Sequence, residues 1–265
     1  MKAKDLELRP ISARLANDTI RRLHYSGSVV RNSQVHIGAF WHGRLSGAIQ
    51  LGPPLDRNKM LGLVTGTRRD NMAELNRLAF DESLPRNSES RALAVLRRLL
   101  QKHVPALKWL VTFADATRCG DGTIYRAAGL TLTGIKRNNN LARLPTGKVI
   151  HKMTLESGPT RPLPWLSGRS YYDVTGGAYN WATFLDRVGG DIVPGFQLRY
   201  MMFIDPVWKQ RLTVPEIPYS EIERRGAAMY RGLRVGSIDS DAPAVPGGIE
   251  GGAIPTPTLQ IEMGD

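Results

Sequence analysis

Glu74-Leu-Asn-Arg-Leu-Ala-Phe80, Leu84-Pro-Arg-Asn-Ser-Glu-Ser-Arg91, Phe113-Ala-Asp115 and Cys119-Gly-Asp-Gly-Thr-Ile-Tyr125-Arg-Ala-Ala-Gly-Leu130 follow one another within a single stretch. They read as strand, polar loop, helix, strand, polar loop, helix. Polar groups gather in the loops after two strands, where open α/β sheets place ligands. Glu89–His103 carries a broad apolar stripe (Leu93, Val95, Leu96, Leu99, Leu100) and predicts an amphipathic helix with Asn87 as its N-cap. Leu107–Phe113 is nearly all apolar, as a strand buried on both faces should be. Thr123–Ala128 predicts a short helix stopped by Gly129.

Upstream, Leu6–Ile11 reads as a strand and Ala13–Leu23 as a helix with Leu15, Ile20 and Leu23 on one apolar face. Val35–Trp41 and Leu45–Leu51 form a hairpin around His42-Gly43-Arg44. Downstream, Leu130–Thr133 and Lys148–Leu155 are expected to complete the sheet. Three prolines in Ser157–Pro164 mark a boundary. An amphipathic segment at Trp181–Val188 and a strand at Gln197–Ile204 follow. The expected organisation is a catalytic domain over 1–156, an extension over 157–232 packed on or beside it, and a flexible acidic Gly/Pro-rich tail over 233–265.

The chain carries a net charge of +12, and its tail from Leu233 holds one Arg against five Asp or Glu, leaving +16 on the rest. A field of that sign favours a polyanion such as nucleic acid. A single cysteine, Cys119, excludes an internal disulfide and points to a reducing compartment. No apolar run is long enough to span a bilayer. The start, Met1-Lys-Ala-Lys-Asp5, lacks the apolar stretch of a signal peptide. A cytoplasmic location is expected.

Three loops can carry chemistry. Helix starts bind anions through free N–H groups and the helix dipole, so Arg86, Asn87, Ser88, Ser90 and Arg91 are candidates for a phosphate-bearing cofactor. Read alone, the same residues make an ordinary capped helix start. Asp115, directly after a buried strand, can accept a proton or simply cap its own loop. Tyr125 can act as a general acid or as core packing. His24, in His24-Tyr-Ser-Gly27, joins this set, or else satisfies the last carbonyls of its helix. None of the five histidines has a strong metal spacing; His24, His36 and Asp115 are the candidate metal ligands, with iron as the candidate ion. Tyr25, Arg31, Arg169, Tyr171 and Tyr172 are candidate DNA contacts, because aromatic faces among cations suit unstacked bases.

Together these pieces resemble the GCN5-related N-acetyltransferase fold: an α/β (α+β) mixed central sheet flanked by helices, here with a C-terminal extension. The resemblance implies that the strand containing Arg77, Leu78 and Ala79 pairs with the arm of acetyl-CoA or a related donor. It further implies that the next helix start holds the donor's phosphates and that Tyr125 protonates the departing thiolate. The usual Gly-x-Gly loop is absent, and Glu89 adds negative charge beside the anion site.

A closer resemblance is to the Mom family of phage DNA-modification proteins. It rests on His24-Tyr-Ser-Gly, Asn32-Ser-Gln-Val-His-Ile-Gly, Glu74-Leu-Asn-Arg-Leu-Ala, Pro85-Arg-Asn-Ser-Glu-Ser-Arg, Phe113-Ala-Asp-Ala and Cys119-Gly-Asp-Gly-Thr-Ile-Tyr. Val193-Pro-Gly-Phe-Gln-Leu-Arg-Tyr, Leu212-Thr-Val-Pro and Met229-Tyr-Arg-Gly continue it, so that it spans roughly residues 5 to 232. It implies a phage enzyme converting adenine in double-stranded DNA to N6-carbamoylmethyladenine, which shields the DNA from restriction. The base would be flipped, with Asp115 and His24 orienting or deprotonating its amine. The alternatives are an ordinary N-acetyltransferase acting on a small amine or protein, and a non-catalytic DNA-binding protein.

Overall fold

The computed structural model describes residues 5–230 and 233–234. Seven strands form one mixed sheet. In chain order these are β1 (Leu6–Pro10), β2 (Val35–Trp41), β3 (Arg44–Gly52), β4 (Met72–Phe80), β5 (Trp109–Asp115) and β6 (Thr131–Arg137), with β10 (Phe196–Phe203) arriving later. Their spatial order is β1-β2-β3-β4-β5-β10-β6. Only β4 and β5 run parallel; every other neighbouring pair is antiparallel. The β2–β3 hairpin turns at His42 and Gly43, both at positive φ (48° and 77°), which suits the twist of a two-residue turn.

Helices cover both faces. Helix α1 (Ala13–Leu23) is capped by Ser12, whose hydroxyl accepts from Leu15 N–H at 3.2 Å. Its buried face is Ala16, Thr19 and Ile20, whereas Leu15 is 44% exposed. The face therefore lies one position away from the one expected through Leu15. A short helix α2 (Arg57–Leu61) precedes β4, and Met60 packs with Trp109, Val111, Met201 and Phe203. Helix α3 (Ser88–His103) buries Ala92, Leu93, Leu96 and Leu100 against Leu75, Leu110, Leu132, Tyr200 and Met202. Leu96 is 0% exposed, and truncating it to Ala should cost about 2–5 kcal/mol. Trp109 and Val111 face one core and Leu110 the other, which is why β5 reads as a continuous apolar run.

The extension differs from the sequence reading in two ways. Lys148–Leu155 does not join the main sheet. After the short helix α4 (Thr123–Ala127), β7 (Leu141–Arg143), β8 (Val149–His151) and β9 (Asp191–Ile192) form a separate sheet in the order β8-β7-β9, and Lys152–Glu156 is a helix, α5. With α6 (Tyr171–Thr175) and α7 (Trp181–Val188) they enclose a second core of Leu144, Ile150, Tyr171, Val174, Trp181 and Phe184. That core begins before residue 157, so the prolines do not separate two units. Moreover, β10 lies between β5 and β6, within the main sheet rather than beside it. Sequence periodicity finds the β10 strand but not its neighbours, and it misses the change from strand to helix at Lys152. Helix α8 (Ser220–Arg224) and a hairpin of β11 (Met229–Tyr230) with β12 (Leu233–Arg234) close the described chain. The rest of the expected acidic tail lies outside the described residues.

Candidate active site

The site arises where β4 and β5 part. They pair only from Met72–Glu74 to Trp109–Val111. A register shift opposite Gln50 and Leu51 bulges β4 at Asn76, which sharpens its local bend. Beyond Glu74 the strand edge facing β5 is unpaired, and a cavity of about 470 Å³ opens there. His24, Tyr25, Arg77, Asp115, Cys119 and Tyr125 line it.

Tyr125 stands on α4, and Gly122 makes that placement feasible. Gly122, at φ 86°, caps the helix in the left-handed region. A Cβ there would lie 2.5 Å from the Tyr200 ring, so only glycine fits. Tyr200 in turn donates from its hydroxyl to Asp121 O at 2.6 Å and packs on Tyr125 at 5.3 Å between ring centroids. The Tyr125 hydroxyl accepts from Thr112 Oγ1 at 3.2 Å. Burial pushes its pKa up to about 12, so it remains a proton donor at neutral pH.

Asp115 ends β5. Its carbonyl accepts three N–H groups, from Arg118, Cys119 and Gly120, which makes a tight turn. Its Oδ1 accepts from Thr117 N–H at 3.1 Å and from the buried Asn138 Nδ2 at 3.4 Å. Among the described residues its other oxygen receives no hydrogen bond. The turn is also locked from below, since a Cβ on Gly195 would fall 1.9 Å from Thr117 Oγ1.

His24 sits at the C-terminal end of α1. Its Nδ1 accepts from Ser26 N–H at 3.2 Å and contacts Ser26 Oγ at 2.8 Å. The mobile proton is thereby assigned to Nε2. Burial, followed by the charges of Arg77 and Arg118, lowers the pKa of His24 to about 4. A neutral imidazole that donates from Nε2 can orient a ligand. Tyr25 is 44% exposed, yet burial of its hydroxyl end and the charge of Asp115 push its pKa upward. The Arg118 guanidinium lies 5.7 Å above its ring. Arg77 is tied down by Ser28 O at 3.0 Å and Asn76 O at 2.8 Å.

Not every candidate is gathered here. Leu78 lines the cavity, but Ala79 packs away from it with Ile20 and Ala48. Asn87 holds the cap position of α3 in the left-handed region, at φ 71°, and makes no side-chain cap. Ser88 is 1% exposed and donates to Pro85 O at 2.6 Å, while Ser90 donates to Asn87 O at 3.1 Å. Both hydroxyls are thus engaged in their own turn. Arg86, Asn87 and Ser90 line a separate groove of about 300 Å³ together with Asp81, Glu82 and Glu89. His36 contacts Gln50 Nε2 at 3.2 Å on β2 and does not line the cavity. Among the described residues no three His, Cys, Asp or Glu are grouped to hold a metal, so the three-ligand iron site is not assembled. Tyr171 is 0% exposed and stacks on Phe184 at 4.9 Å, which removes it from the DNA contacts. Arg31 and Arg169 are exposed, and Tyr172 is half-buried. Arg118, Thr112, Asn138 and Tyr200 were not anticipated. Asn138 lies in Arg137-Asn-Asn-Asn, which carries no pattern pointing to Asp115.

A CoA-type donor fits part of this geometry. The open edge of β4 can pair with an amide-bearing arm, and Arg91 Nε, on the first turn of α3, is buried without a hydrogen-bond partner among the described residues. The acidic groups in the neighbouring groove fit the phosphate end less well.

The model of the Mom protein family matches residues 5–221. The chain belongs to the Mom protein family. A relative, the methylcarbamoylase Mom of Escherichia phage Mu, is 36% identical over 133 residues, which is 50% of this chain and 55% of that protein. The chain thus spans about half the length of the curated relative it matches. Among solved structures, a GNAT-family acetyltransferase of Elizabethkingia anophelis with acetyl-CoA bound is 13% identical with a TM-score of 0.38, covering 75% of this chain and 98% of that one. A Bacillus subtilis acetyltransferase in complex with CoA is 11% identical with a TM-score of 0.39, covering 75% and 97%. The sheet of this Mom-family protein is a mixed, mostly antiparallel layer flanked by helices and parted between its parallel pair. No helix among the described residues is long and apolar enough to cross a membrane.

Proposed function

We propose that this Mom-family protein is a transferase that modifies adenine in DNA to N6-carbamoylmethyladenine, acting in the host cytoplasm on a base flipped from the duplex. One observation carries the reading: a buried proton donor, Tyr125, and a carboxylate with a free oxygen, Asp115, line the same cavity at the parted strands. The net charge of +12 supports a polyanionic substrate.

Adenine N6 is a weak nucleophile, because its lone pair feeds the ring, and it is stacked inside the duplex. Extrusion into the cavity places it beside Asp115. The free carboxylate oxygen accepts the amine proton. His24 Nε2–H and the Tyr25 ring orient the base, and Arg77 neutralises charge on the donor or on a DNA phosphate. Tyr125 delivers its proton to the leaving group. Attack of N6 on a thioester carbonyl would give an N6-acyl product, so the donor, when bound, would have to present a methylene carbon that already bears the carboxamide. N6 bonds to that carbon as its bond to the leaving group breaks, and the leaving group departs with the electron pair. The donor's arm would lie along Arg77 and Leu78, with Arg91 near its anionic part. A carbamoylmethyl group joins N6 through a methylene carbon and ends in an amide, so the transferred unit carries a nitrogen that an acetyl group lacks. Mass analysis of nucleosides from DNA of cells expressing the protein tests the reading. The expected product is an adenosine heavier by a carbamoylmethyl group.

A further inference from the structure

Leu55 is the most exposed large apolar side chain among the described residues, at 80%. A lone exposed leucine is common and by itself carries nothing. This one is held in place. It follows Pro53 and the buried Pro54 on the loop from β3 to α2. Pro53 O accepts from Asn32 Nδ2 at 2.7 Å. Directly after Leu55, Asp56 caps α2: its Oδ1 accepts from Lys59 N–H at 3.2 Å and its carbonyl from Met60 N–H at 3.1 Å. Met60 is buried in the core beneath. Two prolines with fixed φ before it and an anchored helix after it hold Leu55 out in water on a braced loop.

Its surroundings suit a polyanion. Leu55, Arg57, Asn58 and Arg69 line one surface depression of about 350 Å³, together with Pro54 and Asp56. Neither arginine forms an ion pair among the described residues. Asp56 adds a carboxylate there, but its Oδ1 is engaged in capping α2. Asp70, next to Arg69, pairs with Arg68 at 3.6 Å. The same loop joins the wall of the active cavity. A Cβ on Gly52, three residues before Leu55, would lie 2.7 Å from Asn76 Oδ1, and Asn76 lines the cavity. Burial raises the Glu74 pKa, and the Leu55 N–H and then the Arg77 charge oppose the rise, so loop and cavity meet at one carboxyl group. Three residues span at most about 10 Å, less than the roughly 12 Å width of the DNA major groove. A duplex resting here can place one base in the cavity and Leu55 in its stack.

We propose that Leu55 is the wedge that fills the gap left in the duplex when adenine enters the cavity, while Arg57 and Arg69 hold the phosphates beside that gap. The inference rests on the DNA-modification reading and names what keeps the duplex open, which that reading leaves unassigned. An extruded base leaves its two neighbours unstacked, with their faces open to water. An apolar side chain between them restores burial on both sides, as wedge residues do in proteins that kink DNA. Leucine offers no hydrogen bond to a base edge, so this contact carries no sequence code.

The test measures binding of the full chain, by fluorescence anisotropy, to an intact duplex and to the same duplex with one abasic site. The abasic site presents the gap ready made, so the wild-type protein should favour it. Leu55→Ala should lower affinity for the abasic duplex by about ten-fold, the burial of one leucine side chain, and bring the two affinities close together. Leu55→Met should keep the preference, because volume and apolarity are retained. Arg57→Gln and Arg69→Gln should weaken both duplexes alike, and each should lower the slope of log affinity on log salt by about 0.9. Thermal melts equal to wild type are expected for the Leu55 variants, since the side chain is exposed. An abasic preference that survives in Leu55→Ala overturns the inference, and so does a wild-type protein without the preference. Either result beside modified adenosine in cells expressing the wild-type protein removes this inference alone. A wild-type protein that binds neither duplex and leaves adenosine unmodified removes both it and the DNA reading.

Discussion

Replacing Tyr125 with Phe removes one oxygen and leaves the ring. The ring is 8% exposed and packs on Tyr200, so hydrophobic burial is retained. The lost hydrogen bond comes from Thr112 Oγ1, which also has Leu75 O at 3.2 Å as an acceptor. No buried donor is stranded, and the stability cost should be about 0.5–1.5 kcal/mol. The effect on chemistry should be far larger. In the proposed mechanism Tyr125 supplies the leaving-group proton, and with its pKa pushed up to about 12 it is protonated throughout the neutral range. Losing a positioned acid typically costs about 10²–10⁴-fold in rate, or about 3–5 kcal/mol of barrier. The assay measures modified adenosine per total adenosine from cells with matched soluble protein, alongside urea unfolding of purified protein. A fall of about 100-fold with a small loss of stability supports the assignment. Wild-type modification in Tyr125→Phe refutes it, and a collapse of stability would show that the hydroxyl is structural.

Asp115→Asn should keep the bonds to Thr117 and Asn138 and lose the proton acceptor, giving folded protein with modification reduced by about 100-fold or more; rapid-quench or nucleoside mass analysis checks it. Gly122→Ala puts a Cβ 2.5 Å from the Tyr200 ring at φ 86°, and thermal melting should show a loss of at least about 1–3 kcal/mol. Burial raises the Glu74 pKa to about 7 from an ordinary 4.5. Its neutral form is favoured in the folded state, so its contribution is full below pH 4.5 and is lost as pH rises to about 7. Glu74→Gln should therefore gain about 1–2 kcal/mol relative to wild type at pH 8 compared with pH 4.5, allowing for partial solvent access, as read by denaturant unfolding. His24 works in the opposite direction. Its pKa of about 4 favours the neutral ring in the fold, so stability is lost as pH falls from 6.5 towards 4, and His24→Gln should flatten that limb of the acid unfolding curve.

The parts of the fold visible in the sequence were those with a strong local period. The α3 stripe, the apolar run of β5 and the glycine-stopped α4 all stand close to where their residues suggest. Long-range pairing was not visible. Nothing in Phe196–Phe203 says that it enters between β5 and β6, because strand order is fixed by contacts remote in sequence. The site divides in the same way. Tyr125, Asp115 and His24 lie in motifs dense in polar residues and meet in one cavity. The serines of α3 donate to their own turn, because a hydroxyl beside a helix start satisfies that turn as readily as a ligand. Tyr171 and Tyr179 look alike in sequence, and only packing decides that the first is buried and the second exposed.

The most direct test of the central claim is the mass of adenosine in DNA from bacteria expressing this chain. The account expects a species heavier by one carbamoylmethyl group, present with the wild-type protein and absent with Tyr125→Phe. Unmodified adenosine alone, recovered with folded wild-type protein in those cells, would contradict it.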